Sequence, residues 1–247
     1  RLRRRPLKGA EACGSEPTCV GLDKSRSGRV SRPRGLQGTP AAAWQSQIHG
    51  VRLARHVTLV EMTEEIRRPR LPDVAVVAIG RNEGERLRRC LESVAGQVAL
   101  VVYVDSGSTD GSVAMSKALG AELVALDMNT PFTAARARNA GAVLALKLKP
   151  DLDFLQFVDG DCEVDAGWLD TAHDFLRANE RVAAVFGRRR ERYPERSAFN
   201  RLCDMEWNVP PGEVRACGGD VMMRTEALRR AGGYREDLIA GEEPELC

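Results

Sequence analysis

From residue 73 onward, short apolar runs alternate with longer amphipathic stretches. The run VAVVAI at 74–79 is continuously apolar, as a parallel strand buried on both faces is. Residues 83–94 then carry Leu87, Leu91 and Val94 on one stripe, the pattern of an amphipathic helix. The alternation repeats with a strand at 100–104, a helix at 111–119 and a strand at 122–126. An Ala-rich helix follows at 133–148, then a strand at 154–158, a helix at 165–178 and a strand at 182–186. Four or five strand–helix units in series predict an α/β fold with a mostly parallel sheet flanked by helices. Such sheets bind ligands beyond the carboxyl ends of their strands, so the polar residues that follow each apolar run are the informative ones.

The first sixty residues lack this pattern. RLRRRPLKGAEACGSEP and SRSGRVSRPRGLQGTP mix Arg, Gly, Ser and Pro without a period, and residues 1–61 are expected to be a disordered basic tail. The formal net charge of +2 conceals a split. Residues 1–60 hold 12 Lys/Arg against 3 Asp/Glu, and the rest holds 25 against 32, so the tail is +9 and the body −7. No apolar segment of about 7–15 residues follows the arginines, which argues against a signal peptide. The tail reads either as a polybasic arm for nucleic acid or anionic lipid or as a leader translated in frame ahead of a start at Met62. The ordered domain is expected over 62–247.

Composition adds exclusions. With 43% hydrophobic and 29% charged residues in 247, the chain is not collagen, coiled coil or a disulfide mini-protein. No apolar run approaches the roughly 18–20 residues of a bilayer span, so the chain reads as soluble or peripheral. Seven cysteines without CxxC spacing and three histidines complete no zinc pattern, and they fit the reduced thiols of a cytosolic protein.

The strand ends carry the candidate chemistry. The first run ends in Gly80-Arg81-Asn82-Glu83, the second in Asp105-Ser106-Gly107-Ser108-Thr109-Asp110, the fourth in Asp159-Gly160-Asp161. Two carboxylates at Asp159 and Asp161 suit a hard divalent cation bridging protein and a diphosphate, although an Asp-Gly turn also explains the pair. The loop after Asp105 can bond a nucleobase or sugar through N–H and hydroxyl groups, and Ser108 or Asp110 can equally cap the next helix. Neither G-x-G-x-x-G nor G-x-x-x-x-G-K-[ST] is present, which argues against a dinucleotide dehydrogenase and a P-loop NTPase.

The ordered set VAVVAIGRNEGERLRRCLESV, VVYVDSGSTDGSVAMSKALGA, AARARNAGAVLA, FLQFVDGDCEVDAGWL, CGGDVMMRTEALRRAGGYREDL and AGEEPELC resembles the family 2 glycosyltransferases over about residues 73–247. The resemblance implies a GT-A type, Rossmann-like sheet and inverting transfer of a sugar from a nucleotide-diphosphate donor to a hydroxyl acceptor. Mg²⁺ or Mn²⁺ is the implied cofactor. It implies that Asp105 contacts the base, with Ser106 in place of a second acid, and that Arg138 lies near the nucleotide. Asp159 and Asp161 take the place of the family's D-x-D pair, with Asp161 the direct metal ligand and Asp159 nearer ribose and metal. Glu243 stands where the family carries its catalytic base, and Glu242 is the alternative within the pair. Arg81, Glu83, Asp105, Ser106, Arg138, Asp159 and Asp220 form the implied nucleotide-sugar set, with Asp220 on sugar hydroxyls behind Gly218-Gly219.

Acceptors in the family include saccharides, lipid carriers and cell-envelope glycans. A cytoplasmic location is implied, with peripheral contact at the cytoplasmic membrane face left open and no nucleic-acid partner expected. The arginine run Arg188-Arg189-Arg190-Glu191-Arg192 reads as a solvated loop or as a contact to diphosphate or an anionic acceptor. Trp168 reads as a core residue; Trp207 is open between core and sugar stacking. The chain stops at Cys247 within the helix expected to carry the base, which reads as a C-terminal truncation. A nucleotidyltransferase of related fold and a non-catalytic nucleotide-sugar-binding fragment remain the alternatives.

Overall fold

A computed structural model describes residues 18–22, 69–214 and 216–246. The chain divides into two compact units, of which Lys24–Arg68 lies outside the described residues; the other unit holds the site. Its eight strands among the described residues are β1 (Thr18–Leu22), β2 (Leu71–Gly80), β3 (Val98–Asp105), β4 (Glu122–Ala125), β5 (Phe154–Asp159), β6 (Val182–Gly187), β7 (Gly212–Val214) and β8 (Val221–Arg224). The described helices are α1 (Glu85–Val94), α2 (Ser112–Ala118), α3 (Ala134–Leu148), α4 (Trp168–Ala178), α5 (Ala198–Glu206), α6 (Thr225–Ala231) and α7 (Glu242–Leu246).

The strands form one sheet in the order β4-β3-β2-β5-β8-β6-β1-β7. The block β4-β3-β2-β5 is parallel, whereas β8 runs antiparallel to both β5 and β6. All five strands and four helices expected from residue 74 onward are present, with ends shifted by up to three residues. The strand β8 was not expected. Of the segment 1–61, expected to be disordered, only Thr18–Leu22 is described, and it departs from that expectation: β1 pairs in parallel with β6 and antiparallel with β7. Its Thr-Cys-Val-Gly-Leu composition suits a strand that completes the free side of β6. The remainder of that segment lies outside the described residues.

Burial on both faces explains the continuous apolar run. In β2, Val74, Val76 and Ala78 face a cluster holding Leu87, Cys90, Leu91 and Val94 of α1 with Leu169, Ala172 and Leu176 of α4. The alternate residues Ala75, Val77 and Ile79 face Ala135, Ala137, Ala142 and Ala145 of α3. Small side chains let α3 approach the sheet closely. A Cβ added at Gly141 would fall 2.3 Å from Val77 Cγ1 and 2.8 Å from Val104 Cγ2, so glycine is required there by contact rather than by backbone angle. Thr133 caps α3 by accepting from the backbone N–H of Arg136, the ordinary role of a threonine at this position.

Candidate active site

Strand register assembles the site. Gly80 pairs with Asp105 and Ile79 with Asp159, so the carboxyl ends of β3, β2 and β5 lie side by side. Because β8 is reversed, its first residues reach the same edge, where Asp220 Oδ1 accepts the Asp159 N–H at 3.2 Å.

On the β3 side, Asp105 is buried and organises its own loop. Its Oδ2 accepts the N–H groups of Gly107 and Ser108 at 3.0 and 2.9 Å, and its Oδ1 accepts the Tyr103 hydroxyl at 3.1 Å. Burial pushes the Tyr103 phenol up, with the Asp105 charge adding to it, so the phenol stays a neutral donor. Ser106 is also buried, and its hydroxyl has no hydrogen-bond partner among the described residues. Asn82 joins the two loops: its N–H donates to Ser108 Oγ at 2.9 Å, and its Oδ1 accepts the Thr109 and Asp110 N–H groups at 2.7 and 3.3 Å. Asn82 has φ 57°, a left-handed conformation that asparagine tolerates better than most residues. Sequence reasoning passed over Asn82; its place directly after a strand-end Gly-Arg was the available signal.

On the β5 side, one guanidinium gathers three carboxylates. Arg138, on α3, donates from Nη1 to Glu242 at 2.8 Å and to Glu243 at 3.2 Å, and from Nη2 to Asp159 at 3.2 Å. Burial works against this charge, but Asp159, Tyr234, Glu243 and Glu242 outweigh it and hold Arg138 above its ordinary value. A second cation, Arg189, donates to Asp220 at 2.6 Å, lies 3.8 Å from Asp159 Oδ2 and stacks over the Trp207 ring. Burial and the neighbouring Asp220 push the Asp159 carboxyl up, against the pull of Arg138 and Arg189. Gly219 packs into this network, since a Cβ there would sit 2.4 Å from Arg138 Nη2 and 3.1 Å from Asp159 Oδ2.

A cleft of about 410 Å³ opens above these groups, lined by Arg81, Glu83, Ser106, Arg138, Asp159 and Asp161 among others. Asp161 is half exposed, with Arg86 4.0 Å away. Glu83 pairs with Arg86 at 2.6 Å, and burial raises its carboxyl against that arginine's pull. Asp105 ends β3 directly before Ser106, Asp220 lies on the β8 side, and Glu242 and Glu243 meet the cleft through Arg138. Every residue singled out for the site therefore lies at this edge of the sheet. The arginine run splits: Arg189 is part of the site, while Arg190 and Arg192 are exposed. Trp168 is a core residue whose indole N–H donates to Gln156 Oε1 at 3.0 Å. Burial pushes the Cys90 and Cys162 thiols far above their ordinary range, so neither supplies a thiolate nucleophile.

Among the described residues no group of three His, Cys, Asp or Glu side chains is placed to hold a metal ion on its own. Two hard oxygen donors one residue apart nevertheless fit Mg²⁺ or Mn²⁺, which binds through one or two carboxylates and takes further ligands from phosphate and water. Asp161 is the freer of the two, because Asp159 already faces two arginines.

A mostly parallel sheet in which β8 and the edge strand β7 run reversed, with a carboxylate-rich cleft at its carboxyl edge, defines a GT-A type domain. Residues 75–230 match the profile of glycosyl transferase family 2, and the chain belongs to that family. It is 29% identical over 187 residues to the pre-mycofactocin glycosyltransferase of Mycobacterium tuberculosis, an alignment covering 71% of this chain and 38% of that protein. The chain spans about a fifth to two fifths of the length of the curated relatives it matches. Among solved structures, the mannosyltransferase PcManGT of Pyrobaculum calidifontis, in complex with GDP-Man and Mn²⁺, shares the fold with a TM-score of 0.52 at 23% identity, covering 71% of this chain and 51% of that one. Staphylococcus aureus TarS gives 0.53 at 19% identity, covering 70% and 32%.

Proposed function

We propose that the cleft binds a nucleotide-diphosphate sugar together with Mg²⁺ or Mn²⁺, and that the protein transfers the sugar with inversion to a hydroxyl acceptor. The observation that carries this reading is that Asp159, Asp161 and Arg138 line one cleft, with the Glu242-Glu243 pair joined to it through Arg138, so that three separate chain segments meet there. The mannosyltransferase of the same fold, solved with GDP-Man and Mn²⁺, supports the donor and cation classes. Asp161, with Asp159, would hold the cation, which when bound neutralises the charge that develops on the departing diphosphate. Ser106 and the loop pinned by Asp105 face the base. Asp220, fixed by Arg189 and by the Asp159 N–H, faces the sugar.

Inversion needs a carboxylate that takes the acceptor's proton as the hydroxyl attacks. Glu243 suits that role better than Glu242, since its side chain is 18% exposed against 6%. Glu242 instead anchors Arg138 from within the fold. No helix among the described residues is long and apolar enough to cross a membrane.

The test is calorimetric titration of the protein with GDP and with UDP, with and without Mn²⁺. One nucleotide should bind in a Mn²⁺-dependent manner, and Asp161→Asn should weaken that binding by at least about tenfold. Equal affinity of the variant in Mn²⁺ removes Asp161 from the cation site, and no binding of any nucleoside diphosphate removes the functional reading.

A further inference from the structure

The helix α5 is folded inside out. Its inner side holds Asp204, which accepts the Glu191 N–H at 3.0 Å and Arg188 at 3.2 Å. Its outer side holds Phe199, Leu202 and Met205, which are 73%, 50% and 67% exposed. Spacings of three residues place them on one arc of the helix, and no α5 residue is buried. One exposed apolar side chain is ordinary. Three together on one helix, with the acid turned inward, reverse the polarity of a helix that packs on its own sheet and mark a surface made for contact.

The inner side ties this helix to the cleft. Arg188 and Glu191 belong to the segment that leaves β6, and between them Arg189 reaches Asp220 while stacking on Trp207, the C-cap of α5. Whatever seats on the outer arc therefore lies beside the donor site.

Charge and area indicate the occupant. Arg190, Arg196 and Arg201 are exposed on and before the helix, against the acids Glu195 and Glu206. None of the three is paired with a carboxylate among the described residues; Arg188, Arg189 and Arg192 are the ones held, by Asp204, Asp220 and Glu163. A stable dimer buries about 800 Å² per partner, more than one face of a nine-residue helix supplies. A bilayer interface, by contrast, accepts a small apolar wedge supported by cations.

We propose that α5 seats the protein on an anionic phospholipid surface, with Phe199, Leu202 and Met205 entering the headgroup boundary and the exposed arginines facing lipid phosphates. The hydroxyl acceptor is then one displayed at that surface. That last clause rests on the transferase reading; the lipid contact stands without it.

The experiment is co-sedimentation of the full chain with vesicles of phosphatidylglycerol and phosphatidylcholine in equal parts, and with phosphatidylcholine alone. Binding is expected to the mixed vesicles, weakening with added salt. F199Q/L202Q/M205Q should lower the partition coefficient by at least about tenfold, with melting temperature and nucleotide affinity unchanged. R196Q/R201Q should remove most of the preference for the anionic vesicles. The inference is overturned if the parent chain stays in the supernatant or if the triple variant sediments equally well. It is also overturned if light scattering shows a dimer that the triple variant dissolves, which would make a second copy the occupant. Vesicle binding by a protein without nucleotide affinity would leave the lipid contact standing and remove only the acceptor clause.

Discussion

Replacing Arg138 by methionine keeps the aliphatic stem and removes the cation from a site where it is 3% exposed. Asp159, Glu242 and Glu243 would then face one another without the guanidinium that now separates them by 2.8–3.2 Å contacts. Removing one partner of a buried ion pair costs about 3–5 kcal/mol. For a domain of this size each kcal/mol lowers the melting temperature by about 2–4 °C, so a loss of roughly 6–20 °C is expected at pH 8. The pH dependence identifies the cause. Burial and Asp220 already raise the Asp159 carboxyl, while Arg138 pulls it down; without Arg138 it rises further. A carboxyl raised in the folded state binds its proton more tightly there than in the unfolded chain. Its penalty therefore grows as pH climbs from the unfolded value of about 3.9 through the raised folded one, and is complete above it. Melting curves by circular dichroism should show a smaller deficit for Arg138→Met against the parent at pH 5 than at pH 8. An equal deficit at both pH values would refute the electrostatic account and leave lost packing as the cause. A deficit under 2 °C at pH 8 would show that the three carboxylates relax away from one another.

Two further outcomes follow from contacts of the site and its support. Glu243→Gln should lower turnover by about 10²-fold or more while nucleotide affinity measured by calorimetry stays within twofold; if Glu242→Gln is the inactive variant instead, the roles within the pair are exchanged. Gly141→Ala gains up to about 1 kcal/mol of helix propensity, yet its Cβ at 2.3 Å from Val77 Cγ1 forces overpacking that costs about 1–3 kcal/mol, so chemical denaturation should show a net loss, and a neutral or stabilised variant would show that α3 lifts freely from the sheet.

Much of the framework was legible because two-sided burial writes itself as continuous apolar runs, as in Val74–Val77 of β2. The acids were legible because strand ends are where such sheets present polar groups. Elements whose identity depends on distant neighbours were not. The strand β8 is four residues after a Gly-Gly pair, and only the slot between β5 and β6 makes it a strand. Arg189 hid in a run of like residues, since its burial comes from Trp207 and from Asp220, 31 residues away. The bond from Arg138 to Glu242 spans 104 residues, and no local pattern announces it. The Asp105 carboxylate accepts from the Gly107 and Ser108 N–H groups and the Tyr103 hydroxyl, bonds that depend on how its own loop folds and that no periodicity encodes.

The reversal of β8 has a consequence for how the chain delivers its acids. Asp220 enters the site at the start of that strand, so the strand's end lies at the opposite edge of the sheet, where the Thr225 N–H donates to Asp153 O. The chain must then travel back before Glu242 and Glu243 can reach Arg138. It is guided on the way by two pegs on and before α3: Asn139 exchanges hydrogen bonds with the backbone of Tyr234 at 2.8 and 2.9 Å, and the Thr133 hydroxyl donates to Glu236 O at 3.0 Å. The span from Gly232 to Gly241 thus acts as a ruler. Because the same guanidinium bonds Glu242, Glu243 and Asp159, lengthening or shortening that span would shift the carboxylate pair and the Asp159 contact together, so the far end of the chain is coupled to the end of β5 through one side chain.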